Sequence, residues 1–152
     1  MKAIFILGIS IVLFASCQQG AFYEENTVIP DQKWDYDFTP KFTVHIPENQ
    51  KPFDLYLNLR HSAFYPYANI YVLLRKKGAG FQDSSIRYEI KLAELDGKWT
   101  GNSAGNLYEH AQLIQENFTF PDTGKYVFTL EQNMRDNPLI GVNDVGIKLI
   151  AK

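Results

Sequence analysis

The chain of 152 residues contains a single cysteine, Cys17, and two methionines. One thiol cannot close an intrachain disulfide, nor supply the repeated cysteines of a zinc ribbon or an iron–sulfur site. The three histidines, His45, His61 and His110, are far apart, and no pair shows the i, i+2 or i, i+4 spacing of a metal-binding motif. An excess of positive charge is lacking too. Fifteen Lys and Arg stand against seventeen Asp and Glu, a formal net charge of −2, whereas a nucleic-acid binder needs a basic face. The Gly-x-Ser-x-Gly spelling occurs at residues 101–105, but no Ser/His/Asp set with the context of a nucleophile elbow accompanies it. Gly101-Asn102-Ser103-Ala104-Gly105 lacks the Gly-Lys-Ser of a phosphate loop and reads as a mobile loop with positive φ angles. Repeats and low-complexity linkers are absent, which leaves one domain. Aromatic residues, by contrast, are plentiful: eleven Phe, nine Tyr and two Trp. Their large apolar area is what must hold a domain of this size together without disulfides.

The N-terminus has its own pattern. Met1-Lys2 precedes an uncharged apolar stretch from Ala3 to Phe14, then Ala15-Ser16 and Cys17. A charged start, an apolar segment and small residues at the cut describe a signal peptide, residues 1–16. The stretch is shorter than the ~20 apolar residues of a membrane span, and no later segment approaches that length. Ala-Ser-Cys resembles the end of a bacterial lipoprotein signal, with Phe14 in place of the usual Leu. That resemblance implies cleavage before Cys17, a diacylglycerol on its thiol and an acyl chain on the new amino terminus; the alternative is an ordinary signal cut near Ser16. Each buried CH₂ contributes about 0.8 kcal/mol, so several chains anchor stably. Residues 17–33 are then the lipidated cysteine, a tether beginning Gln18-Gln19-Gly20-Ala21 and an N-terminal segment.

From residue 34 to 152 the apolar pattern has period two. Phe42, Val44 and Ile46 form one such row; Leu55, Leu57 and Leu59 another; then Ile70, Val72 and Leu74; Ile86, Tyr88 and Ile90; Tyr126, Phe128 and Leu130; and Val145, Ile147 and Leu149. Each row predicts a strand with one face in a core. Turn residues separate them, as at Pro47-Glu48-Asn49, Lys77-Gly78-Ala79-Gly80, Asp96-Gly97 and Asn137-Pro138. The expected fold is all-β, a single antiparallel β-sandwich of jelly-roll or immunoglobulin-like topology. Trp34 to Phe38, alternating aromatics with carboxylates, reads as an edge strand. Residues 106–115 read as a short helix or an irregular strand. Phe118 and Phe120, Pro121-Asp122-Thr123-Gly124 and the Tyr126 row read as a β-hairpin.

Few residues suggest chemistry. His45 falls on the polar face of its strand and reads as a surface histidine; His61 reads as a loop residue. Asp35 and Asp37, two apart on a strand, would share a face at a separation open to glycosidase carboxylates, but the surroundings show no pocket. The loop Phe64-Tyr65-Pro66-Tyr67 is richer. Tyr65 and Tyr67, with Trp99, suit either a protein interface or a sugar-stacking platform; equally they could cap the core. Arg135-Asp136-Asn137 forms a polar turn whose Arg135 is able to fork onto a partner's carboxylate or onto Asp144.

Three blocks carry a family resemblance. Pro52-Phe53-Asp54-Leu55-Tyr56-Leu57-Asn58-Leu59-Arg60-His61 with Tyr65-Pro66-Tyr67-Ala68-Asn69-Ile70 is the first; Asp96-Gly97-Lys98-Trp99-Thr100-Gly101 the second; PDTGKYVFTLEQNMRDNPLIGVNDV, Pro121 to Val145, the third. Together they resemble the gliding motility lipoprotein GldH family of the Bacteroidetes across residues 34–150. The resemblance implies an outer-membrane lipoprotein, anchored at Cys17, that works with other gliding or envelope lipoproteins and is linked to type IX secretion. It implies no enzymatic activity, no catalytic or metal-binding residue and no cofactor. Two functions follow as expectations: a non-catalytic interaction module using Tyr65, Tyr67, Trp99, Arg135 and Asp136, or a module binding envelope carbohydrate or peptidoglycan through an exposed platform of the same rings. Uncharged Gln18-Gln19-Gly20, where surface-exported lipoproteins carry acidic residues, favours the periplasmic face of the outer membrane.

Overall fold

The structure, a computed structural model, describes residues 20–47 and 51–152. Cys17, the signal segment and Gln18-Gln19 of the tether lie outside the described residues. Eleven strands follow one another: β1 (Tyr23–Val28), β2 (Lys33–Trp34), β3 (Lys41–Ile46), β4 (Phe53–Ser62), β5 (Asn69–Lys77), β6 (Ser84–Lys91), β7 (Asn102–Ala104), β8 (Leu107–Phe118), β9 (Gly124–Gln132), β10 (Leu139–Ile140) and β11 (Val142–Ala151). A single 3₁₀ turn, Pro30–Gln32, is the one helical element among the described residues.

The strands form two facing sheets, β1-β11-β4-β8-β7 and β3-β9-β5-β6, with a short β10-β2 pair beside them. Every pairing is antiparallel. The chain changes sheet between β1 and β3, β3 and β4, β4 and β5, β6 and β7, β8 and β9, and β9 and β11. That order is a jelly roll, and it decides between the two topologies left open by alternation.

The period-two rows become strands with a buried face, except that in β6, at the edge of its sheet, Ile90 is buried while Ile86 is exposed and Tyr88 half-buried. Leu55, Leu57 and Leu59 of β4 pair with Leu149, Ile147 and Val145 of β11, and all six are fully buried. Across the sandwich Phe42 and Val44 of β3 pair with Phe128 and Tyr126 of β9, and Ile70, Val72 and Leu74 of β5 complete the opposite wall. At roughly 25 cal/mol per Å² of apolar surface removed from water, this double layer is the main source of stability.

Three sequence expectations change and one is decided. First, the folded unit begins before residue 34. β1 pairs along its whole length with β11, from Tyr23↔Leu149 to Val28↔Asp144, so part of the N-terminal segment set apart from the domain is an edge strand. Its row Tyr23, Glu25 and Thr27 is too polar for alternation to announce it, because an edge strand is only half covered. Second, Trp34 to Phe38 is a strand only at Lys33–Trp34. The buried Trp34 indole donates to the Phe38 carbonyl at 2.9 Å and turns the chain back. Asp35 accepts from the Asp37 backbone N–H at 3.2 Å. The two carboxylates therefore sit in a turn and do not line a strand face. Third, the choice left open at residues 106–115 goes to the irregular strand: 107–115 belong to the long strand β8, whose register shifts along β4, and Asn106 lies in the turn before it. Fourth, β8 and β9 are not a hairpin, because they belong to different sheets. The Pro121–Gly124 turn instead crosses the sandwich, held by the Tyr126 hydroxyl, which donates to the Asp122 carbonyl at 2.7 Å.

The Gly101 to Gly105 segment is likewise paired. Asn102–Ala104 joins β8, and Gly105, at φ 64°, makes the tight reversal between β7 and β8.

The sandwich has two distinct poles. β4 spans them, about 30 Å for ten residues. At one pole lie the starts of β1, β4 and β9 and the ends of β8 and β11, with Phe53, Phe81, Phe118, Phe120 and Tyr126. At the other lie the end of β4 and the starts of β5, β8 and β11.

Candidate functional site

The pole remote from the start of β1 is built of rings carrying heteroatoms. On β4 the inward row of leucines continues to His61, and β8 delivers Tyr108 and His110 on the same face. With Leu59 opposite His110 and His61 opposite Tyr108, the two histidines are diagonal neighbours. Both are buried, and their Nε2 atoms stand 3.1 Å apart. The protons follow from the partners. His61 Nδ1 is 2.9 Å from the Ser62 carbonyl, which only accepts, so Nδ1 carries the hydrogen. Nε2 of neutral His61 is then the acceptor, and His110 Nε2–H donates to it. Protonating His61 at Nε2 would set two N–H groups against each other, whereas protonating His110 at Nδ1 would keep that bond and place a charge on a buried ring. Burial lowers the pKa of both; in His110 burial, with the His61 ring adding to it, pushes the value down to about 4. Trp99 meets His61 edge-on at 4.6 Å, and Tyr108 stacks on it at 5.5 Å. Among the described residues there is no group of three or more His, Cys, Asp or Glu placed to hold a metal. What the pair does here is to satisfy two buried imidazoles with each other. Gly101 makes room for it, since a Cβ there would lie 2.6 Å from His110 Nε2.

The rings continue in series. His61 touches Tyr65 at 5.4 Å, and Tyr65 meets Tyr67 at 6.0 Å in a T-shaped contact. Tyr65 is only 3% exposed, and its hydroxyl donates to the Asn69 carbonyl at 2.9 Å. Tyr65 is thus a core residue and no partner contact, a correction to the sequence reading. Tyr67 and Trp99 are half-buried and are separated by the buried His61 and Tyr65. The three rings do not form one exposed flat platform, which is what a carbohydrate-binding module built on them requires.

Beyond Tyr67 lies the loop after β9. The inward row Tyr126, Phe128, Leu130 ends in Gln132, which is buried. Its carboxamide accepts the Met134 N–H and donates to the Asp136 carbonyl, both at 2.8 Å. Tyr36 adds two braces: its hydroxyl donates to the Met134 carbonyl at 2.7 Å, and its N–H donates to Asn137 Oδ1 at 2.8 Å. The Tyr67 hydroxyl donates to the Asp136 carboxylate at 2.5 Å, which holds the Tyr67 pKa above its ordinary value. Arg135 is therefore displayed from a fixed loop. It does not pair with Asp144, which accepts from Arg60 Nε at 2.6 Å instead.

This loop and the outer face of β5 and β6 enclose a cleft of about 380 Å³ lined by Tyr67, Tyr71, Arg87, Asn133, Met134 and Arg135. The Arg87 guanidinium lies 4.6 Å from the centre of the Tyr71 ring. The Tyr71 backbone anchors the facing wall, with its carbonyl accepting from Asn133 N–H at 2.8 Å and its own N–H pointing at Met134 Sδ at 3.3 Å. Aromatic walls, an adaptable thioether and two cations fit a ligand with an anionic head and a partly apolar body.

The family model described as GldH lipoprotein matches residues 21–149. The chain belongs to the GldH lipoprotein family. It is 29% identical over 154 residues to a gliding motility lipoprotein GldH homolog of Christiangramia forsetii, covering 97% of this chain and 94% of that one. It is 25% identical over 155 residues to the gliding motility lipoprotein GldH of Flavobacterium johnsoniae, covering 97% and 95%. Among solved structures, a chain from the infectious bursal disease virus Gx strain aligns at a TM-score of 0.27 and 13% identity over 97% of this chain and 36% of that chain, too low to bear on the fold.

In this GldH-family chain, of the residues singled out from sequence Tyr67 and Arg135 line the cleft and Asp136 holds Tyr67, while Gln132, Tyr71, Arg87 and the His61–His110 pair were not singled out. Two signals were present. Gln132 and His61 are polar residues at the buried parity of otherwise apolar rows, and a buried polar group must find a partner. Nothing local marks Arg87, because its place beside Arg135 exists only once β6 and the β9 loop flank β5.

Proposed function

We propose that this chain is a non-catalytic interaction component of the gliding-motility envelope machinery, linked to type IX secretion and anchored by lipid on Cys17 to the periplasmic face of the outer membrane. The observation that carries this reading is the family match over 21–149, which spans nearly the whole folded unit. The fold supports an orientation. Cys17 precedes Phe22 by a few residues, and an extended chain spans at most ~3.5 Å per residue. The start of β1 belongs to the phenylalanine pole, and Phe22 packs on Phe53 at 4.9 Å. Lipid on Cys17 holds that pole at the bilayer and turns the opposite pole, with Tyr67, Arg135 and Asp136, toward the periplasm. Confinement to a surface raises effective concentration, so a modest interface suffices.

A photocrosslinking residue at Tyr67 or Arg135 tests the reading in cells. The expected result is a crosslink to an envelope protein that a probe at Lys125, on the other pole, does not give. Retention of a Cys17→Ser chain in the membrane fraction, or equal crosslinking from both poles, would overturn it.

A further inference from the structure

We propose that the cleft between Arg87 and Arg135 receives the carboxylate of an acidic polypeptide segment on a partner protein. The chain has four arginines. Two are paired within the domain: Arg60 with Asp144, and Arg75 with Glu131, each at 2.5 Å. The other two, Arg87 and Arg135, come from different elements, line the same cleft, and have no carboxylate within 4.0 Å among the described residues. Neighbouring acids are already engaged. Glu89 accepts from the Asn69 carboxamide at 2.7 Å, and Asp136 from the Tyr67 hydroxyl. The cations are thus left to a ligand from outside, and a planar guanidinium matches a carboxylate in a two-pronged hydrogen bond.

The site is also held in advance. Arg87 is seated on the Tyr71 ring, and Arg135 is carried by a loop fastened at Gln132 and Tyr36. Ordering these groups therefore costs little on binding. Met134 and the tyrosine rings give the segment's methylenes and backbone an apolar surface to lie on. A sugar acid fits less well. Stacking needs an open ring face, and Arg87 covers a face of Tyr71 while Tyr65 is buried.

This proposal deepens the interaction role above and rests on it for a protein partner. Its test is made on the protein purified from membranes in detergent, with the Arg Nε–H resonances observed by NMR. The probes are the peptide acetyl-Gly-Glu-Leu-Glu-Gly-amide, its Gln counterpart, its Lys counterpart, and trigalacturonate. The Glu peptide is expected to shift the Arg87 and Arg135 signals saturably, to bind at least tenfold tighter than the Gln peptide, and to weaken with added salt. The double variant R87Q/R135Q should lose that binding tenfold or more with an unchanged circular dichroism spectrum. R87E/R135E should prefer the Lys peptide. Equal binding of the Glu and Gln peptides, shifts confined to other residues, or binding of trigalacturonate without the Glu peptide would overturn the proposal. Failure of the peptide with the Tyr67 crosslink intact removes the acidic ligand and keeps the interaction role. Peptide binding with no crosslink in cells removes the role and keeps the receptor.

Discussion

At one end of the sandwich Phe120 packs against Phe53, Phe81, Phe118, Tyr126 and Phe128, at centroid distances from 4.7 to 6.2 Å. At the other end His61 packs against Tyr65, Trp99, Tyr108 and His110, from 4.6 to 5.5 Å. Both poles close the core with rings, yet the physics differs. The phenylalanine pole is held by apolar area and edge-to-face geometry, which are indifferent to pH and to small changes in hydrogen bonding. Its cation, Lys76, rests 5.0 Å from the Phe118 ring, and burial lowers its pKa. The histidine pole is held by a directional network in which each buried heteroatom needs one partner. The first kind of packing suits an end that serves as a plug and that, in the orientation proposed above, lies near the lipid anchor. The second fixes side chains at defined positions, which is what the display of Tyr67, Arg135 and Asp136 requires.

The contrast can be broken most forcefully at Phe120. Phe120→Ala leaves a hole among the surrounding rings and should cost about 3–5 kcal/mol. Urea unfolding would read it as a lower midpoint with the slope preserved. A loss below about 1 kcal/mol would mean that the pole repacks freely and that the distinction between the ends fails.

Acid should separate the poles next. His110 is kept neutral in the fold with its pKa near 4, below its ordinary 6.5. Between those values the unfolded chain takes up a proton that the folded chain refuses. The stability that neutral His110 contributes is therefore complete above pH 6.5, declines as pH falls toward about 4, and levels off below it. The slope is at most about 1.4 kcal/mol per pH unit. Thermal unfolding of the wild type against His110→Asn from pH 7 to 4 checks this. Identical slopes in the two proteins would show that the pair does not titrate in this way.

A smaller effect is expected at Gln132. Gln132→Ala removes both bonds to the Met134–Asp136 loop and should cost about 1–3 kcal/mol. It should also raise amide exchange in residues 134–136 while leaving the phenylalanine pole protected, a comparison that native-state hydrogen exchange makes directly. Uniform loss of protection over the whole domain would show instead that the two ends unfold as one unit.

Much of the architecture was readable from residue order, and the failures have a common cause. The rows at Phe42, Leu55, Ile70, Tyr126 and Val145 announced strands because each is covered on one face by the opposite sheet. β1 was misread because an edge strand covered on one side only carries Glu24 and Glu25 where a central strand carries leucine. Phe118 to Tyr126 looked like a hairpin because a turn flanked by strands reads the same whether it returns to its own sheet or crosses to the other. Tyr65 looked like a contact because an aromatic loop residue has the same local pattern whether its ring points out or plugs the core.

The sequence by itself determined which residues of the covered strands face inward, that the chain folds as an antiparallel sandwich, and which family it belongs to, since these depend on local period and on spaced blocks. Only the tertiary structure decided the jelly-roll order, the joining of His61 to His110 from strands far apart in the chain, and the convergence of Arg87 and Arg135 on one cleft. Period two reports burial of a face. It carries no information about which strand lies alongside, and each of these features arises from a neighbour that the pattern cannot name.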